Sequence, residues 1–241
     1  MDYFEETLYY QRDNFSLFPK NILAEVEKNV DQYLAASKQE NELVFTDIYL
    51  YENIDKILKT PNLTYILINF SNTPLQEDIF VKLAQIKTLC KLELSFISSD
   101  LTEIPEAIFD ITSLRILHIS HSQTTELSSS LGKLKNLESL TFIQGNITTL
   151  PKSIGKLEKL ETLEVELNGI THLPSTIGDL KNITHINLFL NHLTKLPQSI
   201  GKLHKLKELN LSLMPSLKEI PDELVNLQRE NSFLKIIIDT V

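Results

Sequence analysis

The stretch ITTLPKSIGKLEKLETLEVELNG (147–169) runs directly into ITHLPSTIGDLKNITHINLFLNH (170–192). Laid one under the other, the two match at the apolar positions, at the Leu-Pro step and at the Ile-Gly step. The same beat extends outward. Four of the chain's six glycines, Gly132, Gly155, Gly178 and Gly201, stand 23 residues apart. A fixed period in the twenties carrying L-x-x-L-x-L-x-x-N-x-L predicts stacked repeats, because one unit cannot bury its own apolar face and a stack builds a continuous core.

Taking L-x-x-L-x-L as the strand segment divides the chain into units. They are Phe45-Ile48-Leu50, Leu63-Ile66-Ile68, Leu89-Leu92-Leu94, Leu114-Leu117-Ile119 and Leu137-Leu140-Phe142. Leu160-Leu163-Val165, Ile183-Ile186-Leu188, Leu206-Leu209-Leu211 and Phe233-Ile236-Ile238 follow. Successive starts lie 18, 26, 25, 23, 23, 23, 23 and 27 residues apart, regular in the middle and drifting at both ends. Alternation turns the apolar residues of each segment to one side, and neighbouring segments share a parallel sheet. The second half of each unit returns along the opposite face with Ile154, Leu157, Ile177, Leu180, Ile200 and Leu203 as core. Pro151, Pro174 and Pro197 fix the chain where no ladder partner is needed. The glycines are expected at tight turns. Asn168 and Asn191 are expected to satisfy turn backbone groups, with Ser122, Gly145 and Met214 standing at that position elsewhere.

Residues 1–41 show no repeat. From Pro19 to about Ala36, Ile22, Leu23, Val26, Val30, Tyr33 and Leu34 fall on one helical face, which predicts a helix covering the open end of the array. The organisation expected is a helical N-terminal cap over 1–41 and a repeat array over 42–241. The array holds about eight or nine repeats, regular from 101 to 216, and closes with a short C-terminal cap.

The L-P-x-x-I-G-x-L-x-x-L-x-x-L-x-L-x-x-N-x-L units from 147 to 214 resemble the leucine-rich repeat family. They are similar to its 23-residue class, found in many bacterial proteins and in Ras-pathway scaffold proteins. The resemblance implies an α/β solenoid, a horseshoe with a parallel sheet on its concave face. It also implies a non-enzymatic module whose concave face binds another protein. Departures are the lost Asn at several repeats, Ser128 in place of the Pro, and the irregular first third.

Composition narrows the partner. With 42% hydrophobic and 23% charged residues and no apolar run long enough for a membrane span, the chain reads as soluble. Its net charge of -9 argues against a nucleic-acid partner, since phosphate binding needs clustered Lys and Arg. Residues 1–60 carry twelve acids against six bases, so most of the acidic excess lies there. A single cysteine, Cys90, allows no internal disulfide and no cysteine-rich metal site. The first residues lack a basic segment and an apolar one, so no secretory signal is expected. A cytoplasmic protein, with neither metal nor other cofactor, is the reading. It is taken as a monomer, with the last edge at Ile236–Ile238 the route to self-association.

The residues between and after the apolar strand positions are expected to face solvent on the concave side. One column runs Tyr49, Leu67, Glu93, His118, Thr141, Glu164, Asn187, Asn210, Ile237. The next runs Tyr51, Asn69, Ser95, Ser120, Ile143, Glu166, Phe189, Ser212, Asp239. A third runs Glu52, Phe70, Phe96, His121, Gln144, Leu167, Leu190, Leu213. Leu167, Leu190 and Leu213 should stack as an apolar ridge beside Phe189 and Ile143, either as a binding patch or as filler beneath the ascending loop. Glu164, Glu166, His185, Asn187, Asn210 and Glu208 would rim it. Tyr49, Tyr51, Tyr65, Phe70 and Phe96 are a second aromatic candidate, or else a surface that the cap covers.

Two constellations suggest chemistry. Glu164 and Glu166, two apart on a strand, have Cα atoms about 6.5–7 Å apart, near the spacing of paired carboxylates in glycoside hydrolysis. An open sheet, however, offers no enclosed pocket to raise one of their pKa values. His118 and His121 form an H-x-x-H outside helical spacing, which does not converge two rings on a metal. A hydrolase is therefore the weaker reading. An effector or toxin inhibitor using the same concave surface on a foreign protein is the alternative to a resident scaffold.

Overall fold

Each repeat places apolar side chains at alternate positions of a short extended segment, and the sheet that buries them is the frame of the molecule. The computed structural model describes residues 42–70, 76, 78–96 and 102–238. The helix expected over Pro19–Ala36 lies outside the described residues. Nine strands form one parallel sheet in strict sequence order among the described residues. They are β1 (Glu42–Thr46), β2 (Tyr65–Asn69), β3 (Lys91–Ser95), β4 (Ile116–Ser120), β5 (Ser139–Ile143), β6 (Thr162–Glu166), β7 (His185–Asn187), β8 (Glu208–Asn210) and β9 (Lys235–Ile237). The register keeps the repeat in phase across the middle of the sheet: Leu117 pairs with Leu140, Leu140 with Leu163, Leu163 with Ile186 and Ile186 with Leu209.

The return limbs differ along the array. Helices α1 (Asp47–Ile57) and α2 (Asp78–Leu83) serve the first repeats, and α3 (Asp222–Glu230) closes the last. Between them, single 3-10 turns cover Glu106–Asp110, Ser129–Lys133, Lys152–Lys156, Ser175–Asp179 and Gln198–Lys202. Pro151, Pro174 and Pro197, with φ of -69°, -67° and -72°, lead into three of these turns. Ser128 replaces the proline by a cap: its hydroxyl accepts from the Ser130 N–H at 3.0 Å. The expected return-limb residues Ile154, Leu157, Ile177, Leu180, Ile200 and Leu203 are all buried.

Two expectations are corrected here. The first repeat is not Phe45-Ile48-Leu50: Leu43 and Phe45 pair with Ile66 and Ile68, while Ile48 and Leu50 belong to α1. Leu43 precedes Ile66 by 23 residues, so the short step disappears. At the other end Phe233 is 87% exposed and Leu234, at 4%, takes the core place. Ile236 still pairs with Leu209.

Gly132, Gly155, Gly178 and Gly201 lie in the tight 3-10 turns, as expected, and have a further task there. None has positive φ. A Cβ on Gly155 would lie 2.5 Å from the Thr176 carbonyl, and one on Gly201 would lie 2.8 Å from that of Glu223. Strands about 4.8 Å apart on one face draw the return limbs of successive repeats together on the other, and glycine leaves room for the next limb's backbone.

Candidate functional site

On the concave face the sheet carries the columns that alternation predicts. Leu67, Glu93, His118, Thr141, Glu164, Asn187, Asn210 and Ile237 stand in register across eight strands. Val44, not Tyr49, begins the column, because Tyr49 is in α1. The second column is less open than expected: Ser95, Ser120, Glu166 and Ser212 are buried, and Asn69, Ile143 and Phe189 are half-buried. Tyr51 lies in α1, where its hydroxyl accepts from the Gln76 N–H at 3.1 Å.

The third column has a feature that pattern reading missed. His121, Gln144, Leu167, Leu190 and Leu213 all have left-handed backbone, with φ of 59°, 53°, 50°, 54° and 53°. For a residue with a Cβ this costs about 1–2 kcal/mol. A hydrogen-bond ladder maintains it. The N–H of His121 reaches the Ile143 carbonyl, that of Gln144 the Glu166 carbonyl, that of Leu167 the Phe189 carbonyl and that of Leu190 the Ser212 carbonyl, at 3.0–3.1 Å.

Buried asparagines brace the same bend, as expected. Asn168 donates to the carbonyls of Phe142 and Glu166 at 3.1 and 2.7 Å and accepts from the Ile147 N–H at 3.2 Å. Asn191 donates to the Val165 and Leu188 carbonyls at 2.6 and 2.9 Å and accepts from the Ile170 N–H at 3.0 Å. Where the asparagine is lost, the buried Ser122 hydroxyl accepts from the Thr124 N–H at 3.1 Å.

The bend turns the leucine row outward. Leu190 and Leu213 are 37% and 43% exposed, and Leu167 is half-buried beside them. Phe189 and Ile143 remain partly accessible next to the row. His185, whose Nδ1 lies 2.8 Å from the Thr184 hydroxyl, and Glu208, 3.8 Å from the Lys235 ammonium, stand on neighbouring strands. The structure thus brings the predicted apolar and polar residues onto one face.

The aromatic candidate at the other end divides. Phe70 and Phe96 are buried and stacked, with ring centroids 4.6 Å apart and planes 6° apart, so they are core. Tyr65 instead faces the Lys91 ammonium, 4.2 Å from the ring centre, and Lys91 pairs with Glu93 at 2.8 Å. Burial lowers the pKa of His118 and of His121. Among the described residues no group of three or more His, Cys, Asp or Glu is arranged to hold a metal. No helix among them is long and apolar enough to cross a membrane.

The carboxylate pair departs most from expectation. Glu164 Oε2 accepts from the Thr141 hydroxyl at 3.0 Å. Glu166 is only 3% exposed, and its Oε1 accepts from Asn187 Nδ2 at 2.8 Å. Burial first, and the Glu164 charge second, push the Glu166 carboxyl up to about 7. The open sheet was expected to leave both carboxyls in water; instead the crowded second column removes one of them.

Asn187 and Asn210 also do more than rim the site. Asn187 Oδ1 accepts from the Phe189 N–H at 3.1 Å, and Asn210 Oδ1 accepts from the N–H and the hydroxyl of Ser212 at 3.0 and 2.6 Å. These local side-chain turns compete with the ladder, and β7 and β8 are accordingly three residues long where β6 has five. Asn two residues before the second concave position is the sequence signal that could have revealed them.

Comparisons agree with this architecture. Residues 139–236 match the family described as leucine-rich repeat region. An LRR protein of Leptospira interrogans is similar at 27% identity and a TM-score of 0.57, over 76% of this chain and 50% of that one. The plant peptide hormone receptor RGFR1, solved in complex with RGF2, is similar at 24% identity and a TM-score of 0.54, over 72% of this chain and 27% of the receptor chain. TLR13, solved in complex with ssRNA13, is similar at 19% identity and a TM-score of 0.53, over 68% and 26%. The chain thus spans half or less of the length of each of these structures. Comparison with curated proteins gave no match. Repeat period, nine-stranded parallel sheet and structural likeness together show a leucine-rich repeat fold, with residues 139–236 matching the leucine-rich repeat family itself.

Proposed function

We propose that this chain is a non-enzymatic binding module that holds a partner protein on its concave face, around Phe189, Leu190, Leu167, Leu213 and Ile143. Glu164, Glu166, His185, Asn187 and Asn210 surround this centre. The supporting observation is the leucine row itself. Leu190 and Leu213 expose apolar surface at the same place in successive repeats, on backbone that is unfavourable for a side chain, where glycine or asparagine would fit better. An aromatic anchor within a polar rim is the composition of an interface centre. Leucine-rich repeats commonly serve as protein-interaction modules, and two of the similar structures were solved as complexes, one with a peptide hormone and one with RNA. The net charge of -9 favours a protein here over a nucleic acid. The free thiol of Cys90 fits a reducing cytoplasm.

Hydrolysis by Glu164 and Glu166 is not favoured, because Glu166 is covered and engaged with Asn187. The test is affinity capture with the wild-type chain and Phe189→Glu side by side. Phe189 is half-buried at the strand end, so the variant should keep its fold and lose a protein that the wild type retains. Equal capture by both, or a fall of several degrees in Tm for the variant, would reject this face. A retained protein foreign to the source cell would identify an effector or inhibitor rather than a resident scaffold.

A further inference from the structure

Among the concave side chains, Glu166 combines a charge with near-complete burial. Its place in the repeat is taken by Ser120 and Ile143 on one side and by Phe189 and Ser212 on the other. Its Oε1 accepts from Asn187 Nδ2 at 2.8 Å, and Asn187 Oδ1 accepts from the backbone N–H of Phe189 at 3.1 Å. Carboxyl, amide and main chain form one relay that sets which way the Asn187 amide points. The following repeat has the same turn without the carboxyl: Asn210 holds Ser212 directly, and Phe189 stands where Glu166 stood.

We propose that Glu166 is a proton-operated latch on the concave face: ionised, it holds the Asn187 amide and through it the backbone of Phe189, and protonated, it slackens that hold. A hydrogen bond to a carboxylate is about twice as strong as one to a neutral carbonyl, so adding the proton loosens the relay without removing its acceptor. The surroundings locate the switch. On its own strand Glu166 meets Glu164. Ile143 of β5 stands opposite it, Asn187 of β7 bonds it, and Phe189 follows two residues beyond that strand; these three neighbours carry no ionisable group. Burial and the Glu164 charge bring its midpoint to about 7, within the physiological range. The latch takes its biological meaning from the concave-face reading, since Phe189 is the anchor proposed there.

The test needs only the free, full chain, with carboxyl-13C glutamate and 15N labelling, followed by NMR from pH 5.5 to 8.5. The Glu166 carboxyl, the Asn187 side-chain NH2 and the Phe189 N–H should shift with one midpoint near 7, while the Ser212 N–H stays flat. In Glu166→Gln the Asn187 and Phe189 transitions should vanish. If that variant does not fold, Glu164→Gln supplies the same answer: all three midpoints should fall together. A Phe189 N–H that ignores the Glu166 titration, a transition that survives in Glu166→Gln, midpoints that move separately, or a Glu166 midpoint at the ordinary 4.5 would overturn the latch. No partner is present, so this outcome is independent of the Phe189→Glu capture.

Discussion

Replacing Glu166 by Gln should stabilise the protein, and more so the higher the pH. Glu166 is 3% exposed and its carboxyl is raised from the ordinary 4.5 to about 7. A carboxyl with a folded-state pKa above its unfolded one favours folding while protonated. Between about pH 4.5 and 7 the folded chain therefore binds the extra proton, and stability falls as pH rises through that window. A tenfold difference in proton affinity between the folded and unfolded chain corresponds to about 1.4 kcal/mol. Ionising Glu166 in place therefore costs the wild type about 3 kcal/mol once the pH is above 7. Glutamine preserves the shape and an acceptor for Asn187 Nδ2 but carries no proton to lose. Because the sequence pI is about 5.2, the comparison begins at pH 5.5 to keep the chain soluble. Urea unfolding at pH 5.5 and pH 8 should show the gap between Glu166→Gln and wild type widening by about 2 kcal/mol. A gap that does not change with pH, or a variant that is the less stable at pH 8, would refute the burial argument.

Two further outcomes test the frame that holds the site. Gly178→Ala places a Cβ 2.7 Å from Ser199 Cβ and closer still to the Ser199 carbonyl, and it should cost about 1–3 kcal/mol in thermal or urea unfolding; Gly169→Ala, whose nearest neighbour is at 3.5 Å, should change little. Asn191→Ala strands the buried Ile170 N–H and removes the donor to Val165 and Leu188, for a loss of about 3 kcal/mol and faster amide exchange at the bend.

The apolar period and the Leu-Pro and Ile-Gly steps were sufficient to read the stacked parallel sheet, the register from β2 to β8 and the buried return limbs. Those features follow from alternation and repetition, which are local properties of the chain. The ends were misread where several apolar residues compete for one position: Phe45, Ile48 and Leu50 satisfy the same spacing as Leu43 and Phe45, and Phe233 the same as Leu234. Only stacking against the neighbouring repeat chooses between them.

The site divides in the same way. That Leu167, Leu190, Leu213 and Phe189 share one face followed from the 23-residue spacing. That the leucines stand on left-handed backbone, that glycines make room for the next repeat, and that Glu166 lies covered beside Asn187 were decided by tertiary structure. Each depends on groups one repeat away, whose carbonyls, methyl groups and amides set the local space, hydration and hydrogen bonding. A periodic sequence determines which residues meet their counterparts; the packed neighbours determine what that meeting does to a backbone angle or a proton.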